Sequence, residues 1–335
     1  MKKSIIYLFA ALLTTAMFQG CKSKGGAKVN DEINSDTRAK IAELNKKLFN
    51  GITTDNVNAV RALLSPDLIK KNGSELDMVI DRCSKRYPAK DFEILDEYLS
   101  SGLKKSDNDT VRSARGNDND YTIGFQAMND EMYTSLLITK GLTVNGAILA
   151  VYGKYGNDWK INILQMGDYS IAGKNAVDYY KEAQALYSKG NLADATDMII
   201  ITSQLVSPAG NYFSYKNESD MRILFSKVVD EANATFRLPI VISQVKTAPQ
   251  IFQMSPQVVE EVGHQGVFPL IKYKSGIKLT DTVALKAENQ ALQQSIGAIF
   301  KGIDQNNQYI LYQAYNETSE GKAEAKHYGF IQKLR

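Results

Sequence analysis

Few residues in this chain of 335 residues have both the type and the spacing that catalysis requires. The two histidines, His264 and His327, are far apart, whereas a helical His-Glu-x-x-His zinc site needs two histidines one turn apart. No Gly-x-Ser-x-Gly nucleophile elbow is present either. We therefore expect His264 in an exposed turn and His327 at a strand edge, and we predict no catalytic residue, no metal site and no cofactor.

The two cysteines, Cys21 and Cys83, differ in their surroundings. Residues 74–87 are predicted to form a helix that opens with the capping pair Ser74 and Asp77. Its apolar positions recur at helical spacing, and Cys83 shares their face. We expect that thiol to be buried and structural rather than nucleophilic.

Cys21 follows a short apolar segment. Lys2 and Lys3 precede an uncharged stretch, residues 5–17, which is too short to span a membrane and is typical of a secretory signal peptide. Phe18-Gln19-Gly20-Cys21 resembles the lipobox of bacterial lipoproteins, in which the cysteine is acylated. The resemblance implies a signal peptide over residues 1–20, lipidation of Cys21 and a flexible tether over residues 21–34. Ordinary secretion, with Cys21 as an incidental thiol, is the alternative.

Composition is that of an ordinary globular chain, with 44% hydrophobic and 23% charged residues. The length suits about two domains. The formal net charge of +3 includes Lys2 and Lys3, so removal of the signal peptide leaves a side-chain balance of about +1. Because no stripe of Lys and Arg remains, we predict no nucleic-acid partner.

After the tether, the sequence changes from helix-like to strand-like. Helical spacing predicts three helices, and runs of aromatic and β-branched residues then predict an antiparallel sheet. The helices are expected near residues 41–52, 55–64 and 74–87, and the strands near residues 92–99, 121–128, 132–139, 144–155 and 159–166. Residues 104–120 are polar and are predicted to form an exposed loop.

This order of elements resembles the NTF2-like (cystatin-related) α+β fold over residues 35–171. The resemblance rests on the stretch from Phe49-Asn50-Gly51 to Ser65-Pro66-Asp67 and on the closing Asp158-Trp159-Lys160-Ile161 hairpin. An unrelated α+β domain with the same element order is the alternative.

The resemblance implies a conical cavity between helices and sheet, where some NTF2-like enzymes use a buried carboxyl group for proton transfer. Four acidic residues lie in the corresponding region: Asp77, Asp81, Asp96 and Glu97. The helical pattern places Asp77 and Asp81 away from the apolar face, so we expect both to be solvated. Several tyrosines lie on the predicted strands: Tyr121, Tyr133, Tyr152 and Tyr155. Tyrosine suits binding surfaces and ordinary sheets alike, and we expect the second role.

Residues 172–236 are predicted to be a helical connector. Within it, the stretch from Tyr187 to Leu192, together with Ala195, resembles one tetratricopeptide hairpin. Because such repeats need about three neighbours to bury a continuous core, we expect this hairpin to pack against the flanking domains.

Residues 237–335 are predicted to form a second α+β domain. Strands are expected near residues 240–245, 267–273, 309–315 and 328–334. Ser255-Pro256 is expected to open a short helix that ends at Gly263. A long helix is expected over residues 281–302, with Val283 among its inward-facing residues.

Two short motifs match the Asp-Ser/Thr-apolar pattern that some Gram-negative bacteria use for periplasmic O-glycosylation. They are Asp109-Thr110-Val111 and Asp281-Thr282-Val283. Thr110 lies in the predicted exposed loop and is expected to be modified first. Thr282 lies at the start of the long helix, where a sugar would compete with packing and capping.

Together these features predict a periplasm-facing lipoprotein, anchored to the membrane through Cys21, that acts as a binding or scaffolding module. Its partner is an unknown small ligand or envelope protein. Because Lys22-Ser23-Lys24 follows the cysteine without an Asp, we expect the periplasmic face of the outer membrane. Two alternatives stay open, namely a hydrolase or isomerase that uses the N-terminal cavity and a protective partner of an envelope-acting toxin. A buried carboxylate paired with Tyr or Asn would favour the enzyme, and an acidic exposed patch would favour the toxin partner.

Overall fold

The computed structural model describes residues 26–113, 115–261, 263–317 and 325–335. The predicted signal peptide and Cys21 lie outside these residues. The described chain has a mixed α+β fold. Its helices are α1 (Ser35–Thr53), α2 (Val57–Arg61), α3 (Pro66–Asn72), α4 (Leu76–Arg86), α5 (Ala176–Ser188), α6 (Leu192–Leu205), α7 (Glu218–Phe236), α8 (Thr282–Ile299) and α9 (Ile303–Asn306).

The strands form three sheets. They are β1 (Lys28–Val29), β2 (Asp91–Ser100), β3 (Asn108–Arg112), β4 (Tyr121–Gln126), β5 (Met132–Lys140), β6 (Val144–Tyr155), β7 (Asp158–Ile171), β8 (Lys174–Asn175), β9 (Phe213–Tyr215), β10 (Ile240–Val241), β11 (Gln250–Val259), β12 (Gly266–Lys274), β13 (Tyr309–Tyr315) and β14 (His327–Lys333). The sheets have the strand orders β1-β2-β5-β6-β7-β8, β3-β4-β9 and β10-β11-β12-β13-β14.

Four helices, rather than the predicted three, precede β2. The additional helix, α3, begins at Pro66, where the sequence interpretation placed a stop. Ser65 caps it instead, because its Oγ accepts a hydrogen bond from the amide of Leu68 at 3.3 Å and proline is well suited to the first turn of a helix. The predicted capping pair of Ser74 and Asp77 is not formed, since α4 begins at Leu76 without a side-chain cap.

The six-stranded sheet is antiparallel throughout, and α1 and α4 contribute to the core on one of its faces. That core includes fully buried Leu48, Ile80 and Tyr133. The predicted flexible tether is wrong for residues 28–32, because β1 pairs with β2, with Lys28 opposite Leu99, and a short 3-10 helix follows at Asn30–Glu32.

Residues 104–120 are not simply a loop, since they contain β3. Its side chains alternate, with Asp109 and Val111 buried and Thr110 exposed. The sequence of β3 is short and polar, so it gave no strand signal of its own. The strand is stabilised by pairing with residues outside 104–120. It pairs with β4, which pairs in turn with β9 from the predicted connector. The connector helices also share the core of the N-terminal region through residues such as Ala183 and Ile199.

The five-stranded sheet carries α8 on one face. Only the pair of β12 and β13 is parallel. The residues of this second core include Ile271, Tyr273, Ile310 and Tyr312 of the sheet and Leu285, Leu292 and Ile296 of α8. Val283, predicted to face inward, is instead 80% exposed at the first turn of α8.

The predicted short helix near Ser255-Pro256 is wrong, because these residues belong to strand β11. Pro256 pairs with Pro269 of β12 at a position beyond the two residues of β11 that pair with β10. A proline there removes no hydrogen bond to a second neighbouring strand, and so it is tolerated within a sheet.

Candidate functional site

Two of the acidic residues singled out from the sequence are buried side by side in β2. Asp96 is 8% exposed and Glu97 is 3% exposed. Consecutive residues of a strand point to opposite faces of a sheet. Glu97 therefore points towards α1, whereas Asp96 points towards β4, and both faces are covered.

Asp96 accepts hydrogen bonds from three side chains. The hydroxyl of Tyr121 donates to its Oδ2 at 2.6 Å, and Arg115 donates to the same oxygen at 2.8 Å. Asn30, just after β1, donates to Oδ1 at 3.2 Å. The hydroxyl of Tyr98 donates in turn to that of Tyr121 at 3.3 Å. The cluster thus ties the start of the described chain to the sheet.

Glu97 is held in the same way on the other face. Arg38 of α1 donates to its Oε1 at 2.6 Å, and the Tyr133 hydroxyl donates to its Oε2 at 2.6 Å. A second buried group lies nearby in this layer, where the Tyr152 hydroxyl donates to Oδ1 of Asn45 at 2.8 Å. Glu97 and Asn45 therefore fix α1 against β5 and β6.

These pairs are buried carboxylates of the kind that would favour an enzyme. Their oxygens, however, already accept hydrogen bonds from arginine and tyrosine side chains. Burial and the adjacent carboxylates raise the pKa of Tyr121 and of Tyr133, so both phenols stay protonated and keep donating. Burial raises the pKa of Tyr98 to about 12. Each carboxylate also forms an ion pair with an arginine, Glu97 with Arg38 and Asp96 with Arg115. General acid–base catalysis needs a group that can exchange its proton with a substrate, so we interpret these clusters as structural.

In the region of the expected conical cavity, Tyr133 and Tyr152 meet α1, and both side chains are fully buried. Two cavities of the described residues lie elsewhere. One, of about 430 Å³, is lined by Leu279 and residues 325–328. The other, of about 280 Å³, lies among α6, α7 and the end of α8. Of the four strand tyrosines, only Tyr155 reaches the surface.

The remaining acidic candidates and Cys83 lie on α4. Asp77 is exposed and pairs with Arg61 at 3.1 Å, and Asp81 pairs with Lys85 at 2.6 Å. Cys83 is buried on the apolar face, and burial raises the pKa of its thiol. A raised pKa disfavours the reactive thiolate, which agrees with a structural role.

The two candidate glycosylation sites are both exposed. Thr110 lies on β3 rather than in a loop. Thr282 is the first residue of α8, and its neighbour Val283 is exposed, so packing would not exclude a sugar there. Modification of Thr110 before Thr282 remains a prediction, as does lipidation of Cys21 outside the described residues.

A surface that the sequence interpretation missed lies on the second sheet, on the face opposite α8. We call it the open face. Strand register arranges its side chains in rows across β11, β12, β13 and β14. Its members are Phe252, Gln253, Ser255, Gln257, Phe268, Leu270, Lys272, Lys274, Tyr309, Leu311, Gln313, Tyr315, His327, Gly329, Ile331 and Lys333.

Contacts between side chains confirm that these residues share one face. The rings of Phe268 and Tyr309 lie 5.2 Å apart, and those of Tyr315 and His327 lie 5.3 Å apart. His264 extends the face at one corner, where its Nδ1 lies 3.0 Å from the Tyr309 hydroxyl. Both histidines thus lie at this surface, His264 in an exposed turn and His327 at the start of edge strand β14, as predicted from the sequence.

The open face is apolar at its middle and accessible there. Ile331 is 68% exposed, and Leu311 beside it is half-buried. Phe268 and Leu270 are buried, yet they belong to neither of the two hydrophobic cores. Among the described residues, α8 packs on the opposite face of the sheet. The signal in the sequence was the alternation within β13 and β14, but it could not show which face a helix covers.

Within the described ranges, no helix is long and apolar enough to cross a membrane. Nor does any group of three or more His, Cys, Asp or Glu side chains in those ranges have an arrangement that could hold a metal ion. Comparison of the chain with known proteins found no matching family model, no matching curated protein and no matching solved structure.

Proposed function

We propose that this protein is a periplasm-facing lipoprotein that acts as a binding module, with the open face as its binding surface. The observation that carries the proposal is the exposure of Ile331 at 68%, next to Leu311 on a sheet face without a covering helix among the described residues. An exposed isoleucine that continues an apolar row across an uncovered sheet face supports an interaction site there, since such faces are used for binding.

The N-terminal region then serves as the scaffold, and we propose that it is NTF2-like. In support, α1 and α4 share a core with a curved antiparallel sheet. The buried clusters around Asp96 and Glu97 favour a scaffold over an enzyme, because their oxygens are occupied by arginine and tyrosine donors. The open face contains no acidic residue, which does not favour the protective partner of a toxin.

The lipid anchor on Cys21 would hold this scaffold close to the membrane. Six residues lie between Cys21 and Lys28, where β1 begins, so seven Cα–Cα steps join the two. An extended chain spans at most about 3.5 Å per residue, so the sheet edge would lie within about 25 Å of the acylated cysteine. The tether would therefore be short.

Site-specific photo-crosslinking in living cells tests the proposed surface. A benzophenone side chain at position 331 should give a crosslinked product, because the group would lie at the binding surface. The matched control is position 223, an isoleucine of α7 that is 65% exposed outside the open face. Equal yields at positions 331 and 223 would contradict the proposal.

A further inference from the structure

The open face carries positive charge that no acidic side chain among the described residues pairs with. Lys272, Lys274 and Lys333 lie on it, and within the described residues none of the three has an acidic partner at salt-bridge distance. None of the residues that define the face is acidic. A surface of one sign attracts ligands of the opposite sign, so the occupant is expected to be anionic.

The polar residues of the face are mainly amides. Gln253, Gln257 and Gln313 lie among the apolar side chains, with Ser255 between the first two. Gln257 donates to the Val258 carbonyl at 2.9 Å and Gln313 accepts from the Tyr315 hydroxyl at 2.7 Å, which leaves a further N–H and a further acceptor position on each amide. An amide offers both donors and an acceptor, and a sugar hydroxyl likewise donates and accepts. Amides along a flat face can therefore both donate to and accept from a chain of hydroxyl groups. A ligand that has only acceptors would use only their N–H donors.

The size of the face excludes a large protein interface. Four strands about 4.8 Å apart and four rows of side chains about 7 Å apart cover an area on the order of 500 Å². A stable protein–protein interface buries about 800 Å² on each partner. The face suits a short, extended ligand.

The aromatic residues argue against single-stranded nucleic acid. Proteins that bind it stack the bases on exposed aromatic rings. Phe268 and Tyr315 are 7% and 4% exposed, and Phe252 and Tyr309 are half-buried. The exposed rings are the imidazoles of His264 and His327, which lie at opposite ends of β13 and form no continuous stacking platform. Apolar contact comes instead from Ile331 and Leu311, which can pack against the C–H groups of a sugar ring.

From this combination we infer that the open face binds an acidic oligosaccharide. The lysines pair with its carboxylates, the glutamines bond its hydroxyls, and the apolar row holds the rings. This inference rests on the proposed function, because it assumes that the open face is the binding surface.

Calorimetric titration of the full chain in detergent tests the ligand class. The probe is tetragalacturonate, an acidic oligosaccharide, and the neutral comparison is maltotetraose. We expect tetragalacturonate to bind at least tenfold more tightly than maltotetraose, with an affinity that falls as salt is added. Absence of binding, or equal binding of the two, would overturn the inference.

Substitutions locate the binding. The combined variant Lys272→Gln, Lys274→Gln and Lys333→Gln should lose tenfold or more in affinity while keeping the circular dichroism of the parent. The matched control changes three exposed lysines outside the face to Gln: Lys189, Lys246 and Lys286. An equal loss in the control would show non-specific charge attraction and would overturn the inference.

Two further probes separate failure of the ligand class from failure of the proposed function. A glutamate tetrapeptide or an oligothymidylate that binds more tightly than tetragalacturonate, and loses affinity in the lysine variant, would reject the oligosaccharide. In that case the open face would stand as a binding surface. The crosslinking yield at position 331 decides the proposed function independently of all these probes.

Discussion

Buried ionisable side chains in this protein fall into two groups that differ in hydrogen bonding. Asp96 and Glu97 are surrounded by donors and form structural links between the elements around β2. Asp197 of α6 is 1% exposed, and among the described residues neither of its carboxylate oxygens has a hydrogen-bond partner. Because a buried carboxylate is stable only when its charge is compensated, the two groups should respond differently to substitution and to pH.

For the bonded group, the Tyr121→Phe variant removes the phenol that donates to Asp96. We expect unfolding free energy to fall by about 1.5–3 kcal/mol, the range for hydrogen bonds to charged groups. Urea denaturation checks this. Tyr328→Phe is the control, because that tyrosine is 36% exposed and should change stability by less than about 0.5 kcal/mol. Equal effects would show that the Asp96 cluster does not stabilise the fold.

For the unbonded group, the pH dependence has a definite sign. Burial, and secondarily the charge of Asp194, raises the pKa of Asp197 well above its ordinary value of 3.8. Between the ordinary and the raised pKa, the folded state holds a proton that the unfolded state releases. Stability is therefore lost as pH rises through that window, by roughly 1.4 kcal/mol per pH unit.

Asp197→Asn should remove this loss, because the amide is uncharged at every pH. We expect the variant to gain stability relative to the parent as pH rises above 3.8. Urea denaturation of both proteins at a series of pH values measures the difference. Asp230→Asn on the exposed side of α7 is the control and should follow the parent. A constant difference between Asp197→Asn and the parent at all pH values would contradict the assignment.

Among the elements, α8 shows how the start of a helix is decided. In the structure the Asp281 side chain accepts a hydrogen bond from the amide of Ala284 at 3.1 Å. The first turn is otherwise solvated, with Val283 exposed, so the cap is the main local contact that holds it.

The Asp281→Ala variant should lower unfolding free energy by about 1 kcal/mol, the usual effect of losing an N-cap. Thermal or urea unfolding measures it. Thr282→Ala is the matched control, because Thr282 is exposed and makes no capping bond. A loss in Thr282→Ala as large as that in Asp281→Ala would show that the cap is misassigned.

At the scale of the whole molecule, the proposed anchor and the proposed binding surface lie in different sheets. The described chain begins near β1, at the edge of the first sheet, whereas the open face belongs to the second. A tether attached at one sheet leaves the other accessible.

The Cys21→Ala variant tests the anchor. It should give an unlipidated precursor that no longer fractionates as a mature membrane protein, because acyl chains provide the stable attachment. Mass spectrometry of membrane and soluble fractions from the native host measures both effects. Cys83→Ala is the control, since that thiol is buried in the N-terminal core and should leave the lipid in place. Normal processing and retention of Cys21→Ala would remove the basis of the lipoprotein proposal.

Local periodicity in the sequence determined much of the secondary structure. Strand β6 occupies residues 144–155 as predicted, and the helices that carry Cys83 and Leu292 lie where the helical spacing of apolar residues placed them. These elements are long and strongly patterned, so neighbouring residues suffice to specify them. The burial of Cys83 and the exposure of Asp77 followed from the same spacing.

Tertiary structure alone decided the elements and sites that depend on distant residues. Pro256 lies in a strand because β12 pairs with it, and β3 exists because β4 and β9 complete its sheet. The sequence could not show which side chains donate hydrogen bonds to Asp96, because the donors come from positions as distant as Asn30 and Tyr121. The open face could not be predicted from the sequence either, because it also depends on contacts between distant residues. Alternation along β14 shows that a strand has two faces, but only the packing of α8 decides which of them is left exposed.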